Sequence, residues 1–175
     1  LCLLQVSAGD GICHLVHFPE PDYDAPNLRG LITDSAVTKI FHYARFDLAV
    51  ITQYLGVTCH PVYCTKVASR LARTYTDRHG LKDLCRELLG VELSKEQQSS
   101  DWAATKLSDK QKHYAASDVL YLHRLRDRLA EMLAREGRAQ LAARRFALVP
   151  TPVAPAMRGS RDVAISRPSR PPRPH

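Results

Sequence analysis

No stretch of the sequence approaches the ~20 consecutive apolar residues that a membrane-spanning helix requires, which excludes a chain organised around such a helix. Cysteine offers no framework either. The five thiols (Cys2, Cys13, Cys59, Cys64, Cys85) are odd in number and irregular in spacing. That is the pattern of reduced thiols in a cytoplasmic protein, not of a disulfide scaffold. Cys59-His60 and Cys64 look like half of a zinc site, but no second half follows to close a tetrahedral ligand set. No internal repeat is visible, and the opening residues do not read as an export signal. Aromatic residues are few, at 7%, with a single tryptophan, Trp102, read as a packing anchor.

What remains is ordinary globular material with a basic surplus. The 175 residues are 45% hydrophobic, enough for one domain with a real core. The formal net charge of +7 suits a polyanionic partner such as nucleic acid.

Residues 1–18 read as a β-hairpin, two apolar runs around Ala8-Gly9-Asp10-Gly11. A proline-bearing loop and a short helix with a turn follow. Residues 38–43 then read as a buried strand, leading into a helix that Gly56 stops. A short strand at PVYCT precedes a helix at KVASRLART, and a further helix places Leu81, Leu84, Cys85, Leu88 and Leu89 on one face before Gly90. A single long helix is expected from about Asp109 to about Glu136. Ser108 and Gln111 form a capping box at its start, and Val119, Leu122, Leu129, Met132 and Leu133 line its core face. Strands first and interleaved helices after predict an α/β or α+β layer fold. Two regions result, a domain over 1–149 and a tail over 150–175 that holds seven of the eleven prolines and five arginines against one aspartate. The tail is expected to be disordered.

Two places carry chemistry. Tyr114 and Asp118 lie four apart in a helix, so a phenol and a carboxylate leave one face a turn apart. Asp47 sits in the first turn of the helix after the 38–43 strand, at the strand's carboxyl end, where open α/β sheets place ligands.

FHYARFDL and HYAASDVLYLHRL, with the segment CTKVASRLARTYTDRHGLKDLCRELLGVELSKEQQSSDW between them, resemble the second and third exonuclease motifs of the ribonuclease D branch of the DEDD exonucleases, tyrosine subclass. The likeness runs over roughly residues 1 to 148. It implies a ribonuclease H-like exonuclease fold, a mixed central sheet flanked by helices, and a 3′→5′ exonuclease acting on RNA or single-stranded DNA. It also implies two divalent ions, magnesium or manganese, held by four acids. By motif position, Asp47 matches the third acid, Asp118 the fourth, and Tyr114 the phenol that orients the attacking water. The resemblance further implies that Arg70, Arg78, His79 and Lys82 flank the substrate groove, together with Arg73. Lys66 suits a phosphate contact, and His42 is a hydrogen-bonded histidine beside the same groove. Gln111 is explained by its capping role.

The family's first motif, D-x-E on a first strand, has no counterpart on any apolar strand here, and Asp22-Tyr23-Asp24 lies in a proline loop. The chain is therefore expected to be amino-terminally incomplete, its sheet short of a central strand with the flanking strand edges unpaired. Two carboxylates do not balance two divalent ions. An alternative reading is a catalytically weak nucleic-acid-binding remnant of the fold.

Overall fold

The computed structural model describes residues 1–94, 96–97 and 100–148, and the backbone of 161–166. Strands β1 (Leu3–Ser7) and β2 (His14–His17) form the expected antiparallel hairpin, with Leu3 opposite His17 and Val6 opposite His14. Helix α1 (Pro26–Thr33) leads to β3 (Val37–Phe41), and α2 (Ala44–Leu55) to β4 (Val62–Cys64). Then come α3 (Thr65–Ala72) and α4 (Leu81–Leu84), which runs on into a π-helical turn at Cys85–Leu89. Helices α5 (Asp109–Ser117), α6 (Leu122–Arg135) and α7 (Ala139–Ala147) precede a last strand, β5 (Arg161–Ser166).

The five strands make one mixed sheet in the order β2-β1-β5-β3-β4. Alternation along each strand sends neighbouring side chains to opposite faces. Leu4, Val6, Phe41 and Ile165 meet Ile32, Leu48, Ile51 and Leu55 of α1 and α2 on one face. Ile40 and Ala164 meet Leu84, Cys85, Val119, Leu122 and Leu125 on the other.

Two expectations are corrected. The tail contributes a strand: β5 lies between β1 and β3, antiparallel to the first and parallel to the second. The edges of β1 and β3, expected to be left unpaired by the missing first strand, thus have a partner. The physical reason is the cost of about 1–3 kcal/mol for each buried backbone group without a hydrogen bond. Ala164 and Ile165 also fill core positions on the two faces. Residues 149–160 and 167–175 of the tail lie outside the described residues.

The single long helix is in fact two. Between α5 and α6 the backbone tightens, with Asp118 N bonding Ala115 O, Val119 N bonding Ala116 O and Leu122 N bonding Val119 O, each three residues back. The tighter turn brings Ala115, Val119, Leu122 and Leu125 all fully into the core. Leu125 belongs to that face, whereas Met132 is only half buried.

Candidate active site

The capping box fixes the start of α5. Ser108 Oγ accepts from Gln111 N at 3.3 Å, Gln111 Oε1 accepts from Ser108 N at 2.9 Å, and Gln111 Nε2 reaches Asp101 O at 2.9 Å. That last bond ties the helix to the loop carrying Trp102. Tyr114 is buried with Trp102, Leu3, Leu107 and Ala115, its ring 6.0 Å from the Trp102 ring, so Trp102 is the packing anchor expected.

Asp118 follows at the helix end, where the backbone tightens. Burial pushes its carboxyl up to about 7, and the Lys82 ammonium pulls the other way. Burial, then the charge of Asp118, push the Tyr114 phenol up to about 12. The phenol stays protonated at neutral pH. The Nζ of Lys82 lies 6.0 Å from the Tyr114 ring centroid and donates to Ser94 O at 2.6 Å. A cleft of about 500 Å³ opens on this corner, lined by Glu92, Ser94, His113, Tyr114, Ser117 and Tyr121 among others.

Asp47 sits in the first turn of α2 and is 8% exposed. It belongs to the helix's buried stripe with Ala44, Leu48, Ile51 and Leu55. It thus lies just beyond the carboxyl end of β3, while Val119, beside Asp118, shares a core cluster with Ile40 of the same strand. Among the described residues no group of three or more His, Cys, Asp or Glu side chains is placed to hold a metal ion.

The other candidates divide. The Nδ1 of His42 lies 2.9 Å from Thr65 Oγ1, whose hydroxyl donates to Phe41 O at 3.1 Å. The hydroxyl proton being used, His42 Nδ1–H is the donor, and its Nε2 is left as an acceptor. Burial and the nearby Lys66 charge push His42 down to about 4. It is neutral at physiological pH and offers nucleic acid no charge. His79 is also not at the surface: its Nδ1 lies 2.8 Å from Ser69 Oγ, and burial and the charges of Arg73 and Arg70 lower its pKa. Arg73, fully buried, donates to Ser69 Oγ at 3.1 Å and to Arg78 O at 2.7 Å, and pairs with the Glu87 carboxylate. This network sews the 73–79 segment to α3. Arg70 and Arg78 present their side chains to solvent.

Lys66 lies over the ring of Tyr43, Nζ 4.3 Å from its centroid. Nothing in the local sequence singles out Tyr43. No glycine or asparagine marks the turn between β3 and α2, yet Tyr43 takes up a left-handed backbone there, φ 75° and ψ 46°.

The fold thus carries a buried carboxylate just beyond the end of β3, and a phenol and a carboxylate four residues apart at the end of α5. Residues 1–134 match the family described as 3′-5′ exonuclease, and the chain belongs to that family. It is 35% identical over 152 residues to the ribonuclease D of Gluconacetobacter diazotrophicus, covering 87% of this chain and 38% of that one. The chain thus spans about two fifths of the length of the curated relatives it matches. The solved structure of Brucella melitensis NrnC bound to pGG superposes with a TM-score of 0.82 at 53% identity, covering 85% of this chain and 72% of that one. The Mg2+-bound form of that nuclease superposes at 0.81 and 51% identity over the same shares. The ribonuclease D-like exonuclease fold is therefore shown.

Proposed function

We propose that this chain is a 3′→5′ exonuclease that hydrolyses phosphodiester bonds at the 3′ end of RNA or single-stranded DNA and releases nucleoside 5′-monophosphates. The observation that carries the reading is the match of residues 1–134 to the 3′-5′ exonuclease family, with Tyr114 buried in α5 and Asp118 four residues on at the end of that helix. The Asp118 carboxylate suits a cation, because a positive charge beside it offsets the desolvation that holds its pKa up.

Asp47 and Asp118 are the acids we assign to a divalent ion, magnesium or manganese; the NrnC structure with bound Mg2+ supports the choice of magnesium. When bound, the ion supplies Lewis acidity for water and for the scissile phosphate. Two carboxylates with waters suit one magnesium. A pair of ions brings four positive charges, so the two-metal mechanism takes further acids than these two. The Tyr114 hydroxyl donates a hydrogen bond that aims the attacking water at phosphorus. The water oxygen forms the new P–O bond and gives up a proton, the bond to the 3′ oxygen breaks, and that oxygen takes up a proton from solvent and leaves as the new 3′ hydroxyl. Lys66, Arg70, Arg78 and Lys82 supply positive charge to the backbone of the bound strand. The five free thiols suit a cytoplasmic setting.

The test is stepwise shortening of a 5′-labelled single-stranded oligonucleotide in manganese, with the released nucleotides identified. Ladders and 5′-monophosphates are expected, both lost in Asp118→Asn and Asp47→Asn. Normal cleavage by both variants overturns the site assignment. Binding without release points instead to the nucleic-acid-binding remnant.

A further inference from the structure

Tyr43 is the one non-glycine residue with a positive φ among the described residues. An L side chain in that region costs about 1–2 kcal/mol, and such strain persists only where the surroundings fix it. Here the surroundings are rigid. His42, just before it, is hydrogen-bonded to Thr65, and Thr65 to Phe41. Phe41 and Cys64 are register partners at the ends of the parallel strands β3 and β4. Tyr43 and Lys66 thus stand side by side above the carboxyl ends of two neighbouring parallel strands.

The strain does not serve packing. The Tyr43 ring is 51% exposed, although Ala44, the next residue, is buried. Its described contact is the ammonium of Lys66, held 4.3 Å above the ring centroid. Phe46, three residues on, is 53% exposed as well. Asp47 comes four residues after Tyr43 and is buried. The backbone therefore holds a half-exposed aromatic ring, with a cation against one face, four residues before a candidate ion-binding acid.

Resting on the exonuclease reading above, we infer that Tyr43 is a stacking platform for the base of the terminal or penultimate nucleotide of a single-stranded 3′ end, with Lys66 meeting the adjoining phosphate. Every base has a π-face, so a platform of this kind grips any sequence, as an enzyme that removes successive nucleotides requires. Lys66, positioned by the ring, adds the charge that a base alone lacks. The NrnC structure bound to pGG supports an oligonucleotide as occupant.

The test is equilibrium binding of a fluorescent short single-stranded oligonucleotide to the full chain in EDTA, with and without an abasic site at each of the last two positions. Base–aromatic stacking is worth about 5- to 100-fold in affinity. Tyr43→Ala should weaken binding of the intact strand by that factor, and should change binding little for the strand abasic at the contacted position. Tyr43→Phe should bind like the wild type. Lys66→Gln should weaken intact and abasic strands alike and reduce the salt slope by about 0.7, one counterion's worth on a single strand. Tyr43→Gly removes the ring and the backbone strain together, so its thermal midpoint should be kept or raised while its binding falls like that of Tyr43→Ala. Wild-type affinity in Tyr43→Ala and Tyr43→Gly overturns the inference and leaves the exonuclease reading standing. A wild-type chain that binds no strand at all overturns both.

Discussion

The chain contains Tyr-x-x-x-Asp twice, as YARFD at 43–47 and YAASD at 114–118, and the fold treats the two copies in opposite ways. At 114–118 the tyrosine lies inside α5 and is buried, and the acid closes the helix. At 43–47 the tyrosine stands before α2 in a left-handed conformation with its ring in solvent, and the acid is buried. The four-residue spacing aligns two side chains only when both belong to one helix. With α2 starting one residue after its tyrosine, the same letters leave that ring half-exposed outside the helix, where Tyr114 is buried inside α5.

The comparison is broken or sharpened most strongly at Asp118. Asp118→Asn should lower 3′-end hydrolysis by about 10³-fold, the scale of losing a charge-stabilising group at the reacting centre. Tyr43→Phe should leave turnover nearly unchanged, as read by initial rates of nucleotide release. A full-rate Asp118→Asn enzyme would remove the distinction between the two copies.

Next in size is a packing effect. Leu122 is fully buried where the backbone tightens between α5 and α6. Leu122→Ala should cost about 2–5 kcal/mol in denaturant unfolding. Phe46→Ala, on an exposed ring beside the other copy, should stay within about 0.5 kcal/mol.

The two corners should also titrate in opposite directions. Asp118 is raised to about 7 in the fold, above its ordinary carboxylate value. Its contribution is fully present at acid pH and is lost as pH rises through about 7. His42, beside Tyr43, is lowered to about 4. Its contribution is present above the ordinary histidine range, and is lost as pH falls toward about 4. In metal-free buffer between about pH 4 and 7 the two slopes oppose each other, each worth about 1–3 kcal/mol at most. Relative to the unsubstituted chain, thermal midpoints of Asp118→Asn should therefore rise more with pH across that window and those of His42→Gln should rise less, the lowered His79 and His123 adding the same slope to both variants. Parallel slopes in both variants would contradict the assigned causes.

The smallest effect belongs to the strained backbone. Tyr43→Gly should gain no more than about 1 kcal/mol, relief of the left-handed strain being partly cancelled by the entropy of glycine. A loss of several kcal/mol would mean that the exposed ring packs in a way the structure does not show.

Much of this was legible before any coordinates. The capping box at Ser108 and Gln111, the stop at Gly56 and the hairpin over 1–18 are local signals, and local signals survive folding. The helix break after Ser117 was not legible: Ala115, Val119, Leu122 and Leu125 match a helical stripe, and only the fit against the sheet decides how tightly the turn is wound. Nor was β5. A strand of six residues in a proline- and arginine-rich tail is recognisable only once β1 and β3 stand apart with a gap between them. The four-residue spacing of Tyr114 and Asp118 was readable as a helical one, although α5 ends at Ser117 and Asp118 is its cap. The burial of His79 was hidden by its polar neighbours, since the buried arginine that organises them, Arg73, looks in sequence like one more surface cation.

The central claim is that the carboxylates at 47 and 118 share one divalent ion. A crystal structure of the full chain grown with manganese, with anomalous density for the metal, tests it most directly. The account predicts a single strong peak about 2–2.5 Å from an oxygen of each carboxylate, within reach of a water bonded to the Tyr114 hydroxyl. A peak bound by one carboxylate alone, with the other turned away, or no peak at all beside Asp118, would contradict it.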